Sequence, residues 1–484
     1  MNELEANGKL KIRLTSTPPH WAKTCVSILR QTSCLEIFEA NSPVDDTPVD
    51  VVLHFGNYSD EVNQRYGHGR LGFWFFRFGG QDLDPAMAAR RAAAVGAAFE
   101  TSLWAKLSDD RCVCLYQSFG QLEPYVTGRS VTHALAKAAF FPERVLSRYL
   151  SQGVVIPCAA EAIAISSSTV ASYLAEVGAV LEKIVHKLLY HEQWFVVAGR
   201  GQDLLPDPGK GEWFLNPPAD SFWADPFPLE KDGRVWILLE VLPFATQRGY
   251  LAGVELFADG SHGEPRTIMK ADSHLSYPFI FTWQGELYLL PEAGESRDVT
   301  LWKCEQFPDR WTKAATLLTD VCFSDATLIE HEGLWWLFLN IGEYGGICLH
   351  DELHLYYANS PLGPWTPHIE NPIKSDARNS RPAGNIFYRD GALYRPAQDC
   401  ATGYGKATVL NRIDRLDTEG FSETSVARID ADWRKGCLCT HTLSRSEKYW
   451  AVDGKRLLPR WTGFFKSKRL GGYLKNCLSS GVVE

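Results

Sequence analysis

From about Ser221 to Arg456 the hydrophobic positions come as pairs of short runs joined by a polar, glycine-containing corner. Examples are FWADPFPLEKDGRVWILLEV, SYPFIFTWQGELYLLPEA and FSDATLIEHEGLWWLFLN. Each reads as strand, xG hairpin turn and aromatic-rich strand. The corners act as a ruler. Three and seven residues beyond Gly233 stand Trp236 and Glu240, and beyond Gly285 stand Tyr288 and Glu292. The same steps from Gly333 reach Trp336 and Asn340, and from Gly391 they reach Tyr394 and Gln398. Eight residues ahead of Gly233 and Gly333 are Asp225 and Asp325. A looser fifth copy ends in Tyr449-Trp450-Ala451-Val452-Asp453-Gly454. A repeat of roughly 50 residues with several strands apiece marks propeller blades. Five copies predict an all-β five-bladed β-propeller over residues 213–458.

Ahead of it the periodicity changes. Over residues 10–160, LKIRLTS, CLEIFEA, DVVLHFG and RCVCLYQS read as strands, and PHWAKTCVSILRQTS, PAMAARRAAAVGAAF and THALAKAAFFPERVLSRYL as helices. That alternation predicts a parallel-sheet α/β domain of Rossmann type across residues 1–160, so the chain is multidomain. No GxGxxG follows the first strand and no Walker A sequence occurs, which removes the usual phosphate cradles. Residues 161–212 make the connection. There STVASYLAEVGAVLEKIVHKLLYHEQW sets Leu174, Val177, Val180, Leu181, Ile184 and Leu188 along one side of a helix, expected to bridge the two domains. His186 and His191 near its end are read as solvated or capping, not as ligands. QWFVVAG then enters the propeller as a strand, and RGQDLLPDPGKGEW is a loop.

Composition narrows the class. With 484 residues the chain exceeds one typical core, and 45% hydrophobic content suits a folded, soluble protein. A net charge of −9 argues against nucleic acid or an anionic membrane as the main partner. The start, MNELEANGKLKIRLTS, lacks the apolar core of a secretory signal. The nearest approach to a membrane span, GVVIPCAAEAIAI, is broken by Pro157 and Glu161. A cytoplasmic protein is expected. The 12 cysteines contain no CxxC, and Cys112/Cys114 and Cys437/Cys439 are too close for a relaxed bridge. Free thiols, no metal site and no cofactor follow as expectations. The tail, residues 459–484, mixes Trp461, Phe464 and Phe465 with Lys466, Lys468, Arg469 and Lys475. Packing on the neighbouring domain is expected there in preference to peripheral membrane contact.

The candidate chemistry comes from the ruler. In a propeller the inner strands line one axis, so matching positions of different blades converge although they lie about 50 residues apart. One ring holds Asp225, Tyr277 and Asp325, with Arg381 near the matching place in the fourth blade. A second holds Glu240, Glu292, Asn340, Gln398 and Asp453, with Asp399 beside it and His441 in the fifth blade. Carboxylates meeting in a pocket suit glycosidic chemistry, one donating a proton to the leaving oxygen and another activating water or attacking the anomeric carbon. Asp225 is the candidate base or nucleophile. Glu292, beside Pro291 and flanked by two aspartates that would raise its proton affinity, is the candidate acid, and Asp325 holds the pair. Trp223, Tyr277, Trp335 and Trp336 are candidates to stack on sugar faces. The competing reading is that these polar groups satisfy one another and the backbone at the hub.

Resemblances add to this. FWADPF is similar to the Asp-Pro motif of five-bladed glycoside hydrolases of families 43, 32 and 68, where that Asp is a base or nucleophile. SYPFIFTWQGELYLLPEAGES, LYYANSPLGPWTPHIENPI, SRPAGNIFYRDGALYRPAQDC and THTLSRSEKYWAVDGKR resemble the propeller of plant glucosamine inositolphosphorylceramide transferases. In those proteins a separate glycosyltransferase domain follows, and none is expected in the residues beyond Arg456. The order DVVLHFGN, LGFWFFRFGG, FETSLWAKLSDDRCVCLYQ resembles the formyltransferase fold. Its catalytic Asn and His fall on Phe75 and Arg77, with Asp110 in the third place, so the resemblance implies the fold without the reaction. Together these imply an enzyme that cleaves or transfers a glycosyl unit on a glycoconjugate or polysaccharide. A non-catalytic carbohydrate-binding or assembly protein is the main rival, and formyl or acyl transfer to an amino sugar the third. The substrate partner is a carbohydrate or glycolipid in the first two; the sequence leaves the oligomeric state open.

Overall fold

The computed structural model describes residues 9–40, 48–342 and 348–460. The tail expectation for residues 461–484 lies outside the described residues. The chain divides into two compact units. The first holds residues up to Val180 with Ser375–Arg378 and Ala401–Gly403, and the second holds the rest.

The first unit is built on a six-stranded sheet: β1 (Leu10–Leu14), β2 (Leu35–Phe38), β3 (Val51–Leu53), β4 (Phe73–Phe78), β5 (Phe99–Lys106) and β6 (Cys112–Gly120). Its order is β2-β1-β3-β4-β5-β6. Pairing is parallel from β2 to β4 and antiparallel at β4–β5 and β5–β6. The sheet is therefore mixed, not the parallel Rossmann-type sheet expected. β4 and β5 were not read as strands in the sequence; the short turn at residues 107–111 makes β5 and β6 an antiparallel hairpin, and β5 also runs antiparallel to β4 although α3 lies between them.

Helices α1 (Lys23–Gln31), α2 (Asp60–Tyr66), α3 (Pro85–Ala93), α4 (Thr127–Ala138) and α5 (Phe141–Gln152) complete the unit. The apolar faces of α1, α3, α4 and α5 close its core, from Cys25, Val26 and Leu29 of α1 to Val145 and Leu146 of α5, while α2 buries none of its residues. α3 starts where Asp84 accepts from the N–H groups of Ala86 and Met87, with proline in the first turn. The single helix expected over THALAKAAFFPERVLSRYL breaks at Phe140, since Pro142 fits a first turn and not an interior.

α6 (Thr169–Leu189) carries the chain into the second unit. Its expected role of bridging through its apolar side is not what is seen. Ser172 is its buried residue. Glu176 is bonded by Arg90 at 2.9 Å and by Thr127, and Thr169 by Arg91 at 3.2 Å. The helix docks by its polar side.

The second unit is a five-bladed propeller. Blade 1 spans residues 221–269, blade 2 276–318, blade 3 323–367 and blade 4 387–429, each a four-stranded antiparallel sheet, with one added short strand in blade 3. Blade 5 is assembled from both ends: Leu443–Arg445 and Tyr449–Pro459 pair on to β7 (Tyr190–Arg200) and β8 (Trp213–Leu215). β7 runs antiparallel to Tyr449–Pro459 over its whole length, so the blades begin at Tyr190 and not at residue 213. The ruler glycines of blades 1 to 4 turn tightly. Gly233, Gly285, Gly333 and Gly391 have φ of 73°, 79°, 80° and 78°, and each preceding residue is also at positive φ, the type I′ corner that twists with its strands. Gly454 differs: it lies inside a strand, and the fifth hairpin closes through Ser446 and Tyr449 without a glycine.

Candidate active site at the propeller hub

Blades 1, 2 and 3 carry the same irregularity. Ala224, Ser276 and Ser324 face Glu240, Glu292 and Asn340, but the next pair in register is Phe227–Leu238, Phe279–Leu290 and Thr327–Phe338. Two inner-strand residues thus oppose one on the second strand, a β-bulge that turns a residue out of the ladder. The turned residues are Asp225, Tyr277 and Asp325, at φ of 52°, 46° and 52°. Aspartate tolerates this left-handed conformation; a bulky tyrosine does so only where its surroundings hold it. The Tyr277 hydroxyl lies 2.8 Å from that of Thr327, donates to Gly384 C=O and accepts the Gly384 N–H at 2.9 Å. Gly384 is required there, since a Cβ would meet Leu443 O at 2.0 Å.

The bulge amides are capped by carboxylates of the preceding blade. Asp453 of blade 5 accepts the Asp225 N–H at 3.2 Å, Asp225 accepts that of Tyr277 at 3.1 Å, and Glu292 of blade 2 accepts that of Asp325 at 2.9 Å. Asp325 then takes the Arg381 Nε at 2.5 Å and the Gln398 amide at 2.9 Å, both of blade 4. The Leu443 N–H, bonded to Ala383 C=O at 2.7 Å, ties blade 5 to blade 4 and closes the ring. The structure thereby gathers Asp225, Tyr277, Glu292, Asp325, Arg381, Gln398, His441 and Asp453 at one hub.

Electrostatics follow from burial. Asp225 and Asp325 are 4% and 2% exposed. Desolvation pushes Asp325 up to about 7, against the Arg381 guanidinium and helped by the Glu292 carboxyl it faces. Desolvation likewise raises Asp225 to about 6, against His441 and with Asp325 and Asp453 adding to the rise. Burial works to lower His441, but Asp453 at 2.6 Å from Nδ1 and Asp225 at 3.4 Å from Nε2 prevail and hold its pKa above the ordinary histidine value. Trp194 of β7 stacks on the His441 ring at 4.0 Å.

Asp225, His441 and Asp453 have donor atoms within 4.8 Å of one another, a set that suits a cation by composition and that the sequence did not signal. Held between two carboxylates, the His441 ring offsets part of their charge when it is protonated, and in that form its nitrogens cannot ligate. The residues fit an ion-paired hub better than a metal centre.

The remaining candidates separate. Glu240 is buried at the hub level and paired with His274 at 3.2 Å; burial raises its proton affinity. The Asn340 amide is buried and donates to Leu349 C=O. Asp399 lies off the ring, bound to Arg428 at 2.6 Å. The tryptophans are corrections. Trp223, Trp335 and Trp336 are 3%, 8% and 1% exposed, because strand alternation turns them into the cores between blades, and Tyr277 is fully buried, so none of the four can stack on a sugar.

In the first unit, Phe75 is buried against Tyr58 and Phe73, and Arg77 lies over the Trp104 ring and pairs with Asp82. Asp110 is an exposed turn residue paired with Lys106. These three positions form no catalytic group.

The sequence missed three residues at the rim. The Tyr404 ring stands against Trp194, His441, His350 and the Arg381 guanidinium, the last at 5.0 Å. His350 lies 3.2 Å from Arg381. His274 precedes the inner strand of blade 2 by two residues, and the matching positions of blades 1 and 3 are Phe222 and Cys322, so the repeat gave no signal for it. Tyr404 and His350 lie in irregular loops with no repeat signal.

Residues 216–447 match the family model for the N-terminal part of glucosamine inositolphosphorylceramide transferase 1. The protein of that name from Oryza sativa subsp. japonica is 35% identical over 209 residues, covering 43% of this chain and 28% of the relative. The one from Arabidopsis thaliana is 33% identical over 209 residues, covering 43% and 27%. The match thus spans little more than a quarter of these relatives. Among solved structures, a thermostable family-43 glycoside hydrolase aligns with TM-score 0.35 and 13% identity over 45% of this chain and 78% of its own. The catalytic domain of a Coprinopsis cinerea family-62 α-L-arabinofuranosidase gives 0.37 and 15% over 49% and 92%.

Proposed function

We propose that the hub mouth holds the sugar of a glycoconjugate, and that the chain is a carbohydrate-active enzyme transferring or cleaving a glycosyl unit there. The observation that carries this reading is the group Glu292, Asp325 and Arg381. Glu292 retains 17% of its side-chain exposure, whereas Asp325 behind it is buried with a proton affinity near neutrality. A carboxyl that holds a proton near pH 7 beside a more exposed one is what proton delivery to a glycosidic oxygen needs. Glu292 passes the proton outward, and Asp325 replenishes it. Arg381, 3.7 Å from Glu292, steadies the pair and offers a guanidinium to a phosphate or carboxylate of the substrate. Asp225, raised to about 6, is the second carboxyl, base or nucleophile. Tyr404 supplies an aromatic wall. The transferase name of the matched family supports a lipid-linked sugar as the substrate class.

A second reading, a non-catalytic glycan platform, is favoured by one fact: both Asp225 oxygens are already engaged, by Tyr277 N–H and by Thr442 and His441. The deciding experiment offers the full chain nitrophenyl glycosides, and nucleotide sugars with inositolphosphorylceramide, while glycan binding is followed by calorimetry. Turnover lost in Glu292→Gln supports the enzyme. Binding without turnover, lost in Arg381→Ala, supports the platform, and neither one rejects both.

A further inference from the structure

α6 has the wrong side outward for a helix in a monomer. Surface helices bury an apolar stripe and show a polar one. Here the polar stripe is docked: Thr169 and Glu176 bind Arg91, Arg90 and Thr127, and Lys183 reaches Glu192 at 3.4 Å. The apolar stripe faces solvent. Leu174, Leu181 and Leu188 are 68%, 58% and 68% exposed, and Val170, Val177 and Ile184 are 70%, 56% and 50%.

These two sets recur every seven residues and stand three and four apart, the a/d spacing of a helix that packs along another helix. Tyr173, Val180 and Val185 flank the seam and are also exposed, which broadens it. Ten large apolar side chains on α6, on average about half exposed, leave on the order of 900 Å² of apolar surface, where a typical monomer keeps a largest patch of roughly 300–600 Å². A stable interface buries about 800 Å² on each partner.

We infer that α6 is a self-association element, which packs against the same helix of further copies of this chain. The heptad spacing selects a helical partner, and a second copy brings a seam of the same length and period. Leucine at one heptad position and Val or Ile at the other, with apolar flanks, suits a bundle of three or four helices over a two-stranded pair. A membrane surface fits less well. Interfacial helices carry a lysine- and arginine-rich polar face with Trp or Phe opposite, whereas α6 balances Glu176 and Glu182 against Lys183 and Lys187 and has neither aromatic.

The test is light scattering after size-exclusion chromatography, with sedimentation velocity, on the full chain at about 5–50 µM. An oligomer of at least two copies is expected. Leu181→Glu with Ile184→Glu should reduce it to monomer with unchanged circular dichroism, because that face is solvent-exposed in the single chain. The milder pair Leu174→Gln and Leu188→Gln should weaken association at least tenfold. Ile369→Glu, at a 71% exposed apolar residue elsewhere, should change nothing. A monomeric wild type at 50 µM overturns the inference, as does an oligomer indifferent to both α6 variants. A monomer that floats with phosphatidylcholine vesicles, and loses this in Leu181→Glu, also overturns it and assigns the face to lipid.

Discussion

The carboxylate of Asp225 in blade 1 accepts the backbone N–H of Tyr277 in blade 2 at 3.1 Å. The bond joins two bulges, so a side chain proposed for chemistry also holds the next blade in place.

Replacing Asp225 therefore has two separable effects. Asp225→Ala leaves the buried Tyr277 N–H unpaired and should cost about 1–3 kcal/mol of propeller stability. Asp225→Asn keeps an acceptor oxygen and should cost less, while abolishing base or nucleophile function. Denaturant melts of the two variants check the order; equal losses would show that charge, not the amide cap, is what matters.

Glu292→Gln retains the oxygen that caps the Asp325 N–H, so the fold should survive. Activity should fall about 10²–10⁴-fold, the worth of one general acid. Steady-state rates on whichever substrate the screen identifies will tell, and an unchanged kcat removes Glu292 from the chemistry.

Proton affinities at the hub set a pH dependence. Asp225 and Asp325, raised from 3.8 to about 6 and about 7, bind protons more tightly folded than unfolded. Their contribution to stability is complete below the unfolded value and is lost as pH rises through 6 to 7. His441, also raised, acts in the same direction as pH climbs through its folded value. Tm should accordingly decline between pH 5 and 8, and Asp325→Asn should flatten that slope. A Tm that rises over this range contradicts the assignment.

The first unit should give no formyl transfer from a folate to an amino sugar, because a buried phenylalanine and a ring-stacked arginine stand at Phe75 and Arg77. Product formation that survives Asp225→Asn but is lost in Asp110→Ala would reverse this.

What could be read in advance depended on backbone chemistry that leaves a residue signature. The I′ corners demand positive φ, hence Gly233, Gly285, Gly333 and Gly391, and these mark four of the five blades. The hub bulges demand it too, but Asp225, Tyr277 and Asp325 were legible from their place eight residues ahead of a corner glycine, not from that demand. The fifth blade was only loosely legible. Its hairpin has no glycine and half its strands come from residues 190–215. Trp223, Trp335 and Trp336 were misplaced because aromatic content does not say which face of a strand turns inward. The outward side of α6 was hidden for a similar reason: periodicity reveals a stripe without revealing what covers it.

The way blade 5 is put together governs how the ring comes into being. β7 leaves the ribosome more than 200 residues before its partner, Tyr449–Pro459, so the strand must wait with one long edge unpaired while four blades form. Until that last strand arrives the propeller is an open arc, and a nascent chain halted before Tyr449 would expose β7 as a template for foreign strands. Completion is thus a late, all-or-none clasp between distant parts of the chain. Slow, concentration-sensitive refolding is the kinetic trace it should leave.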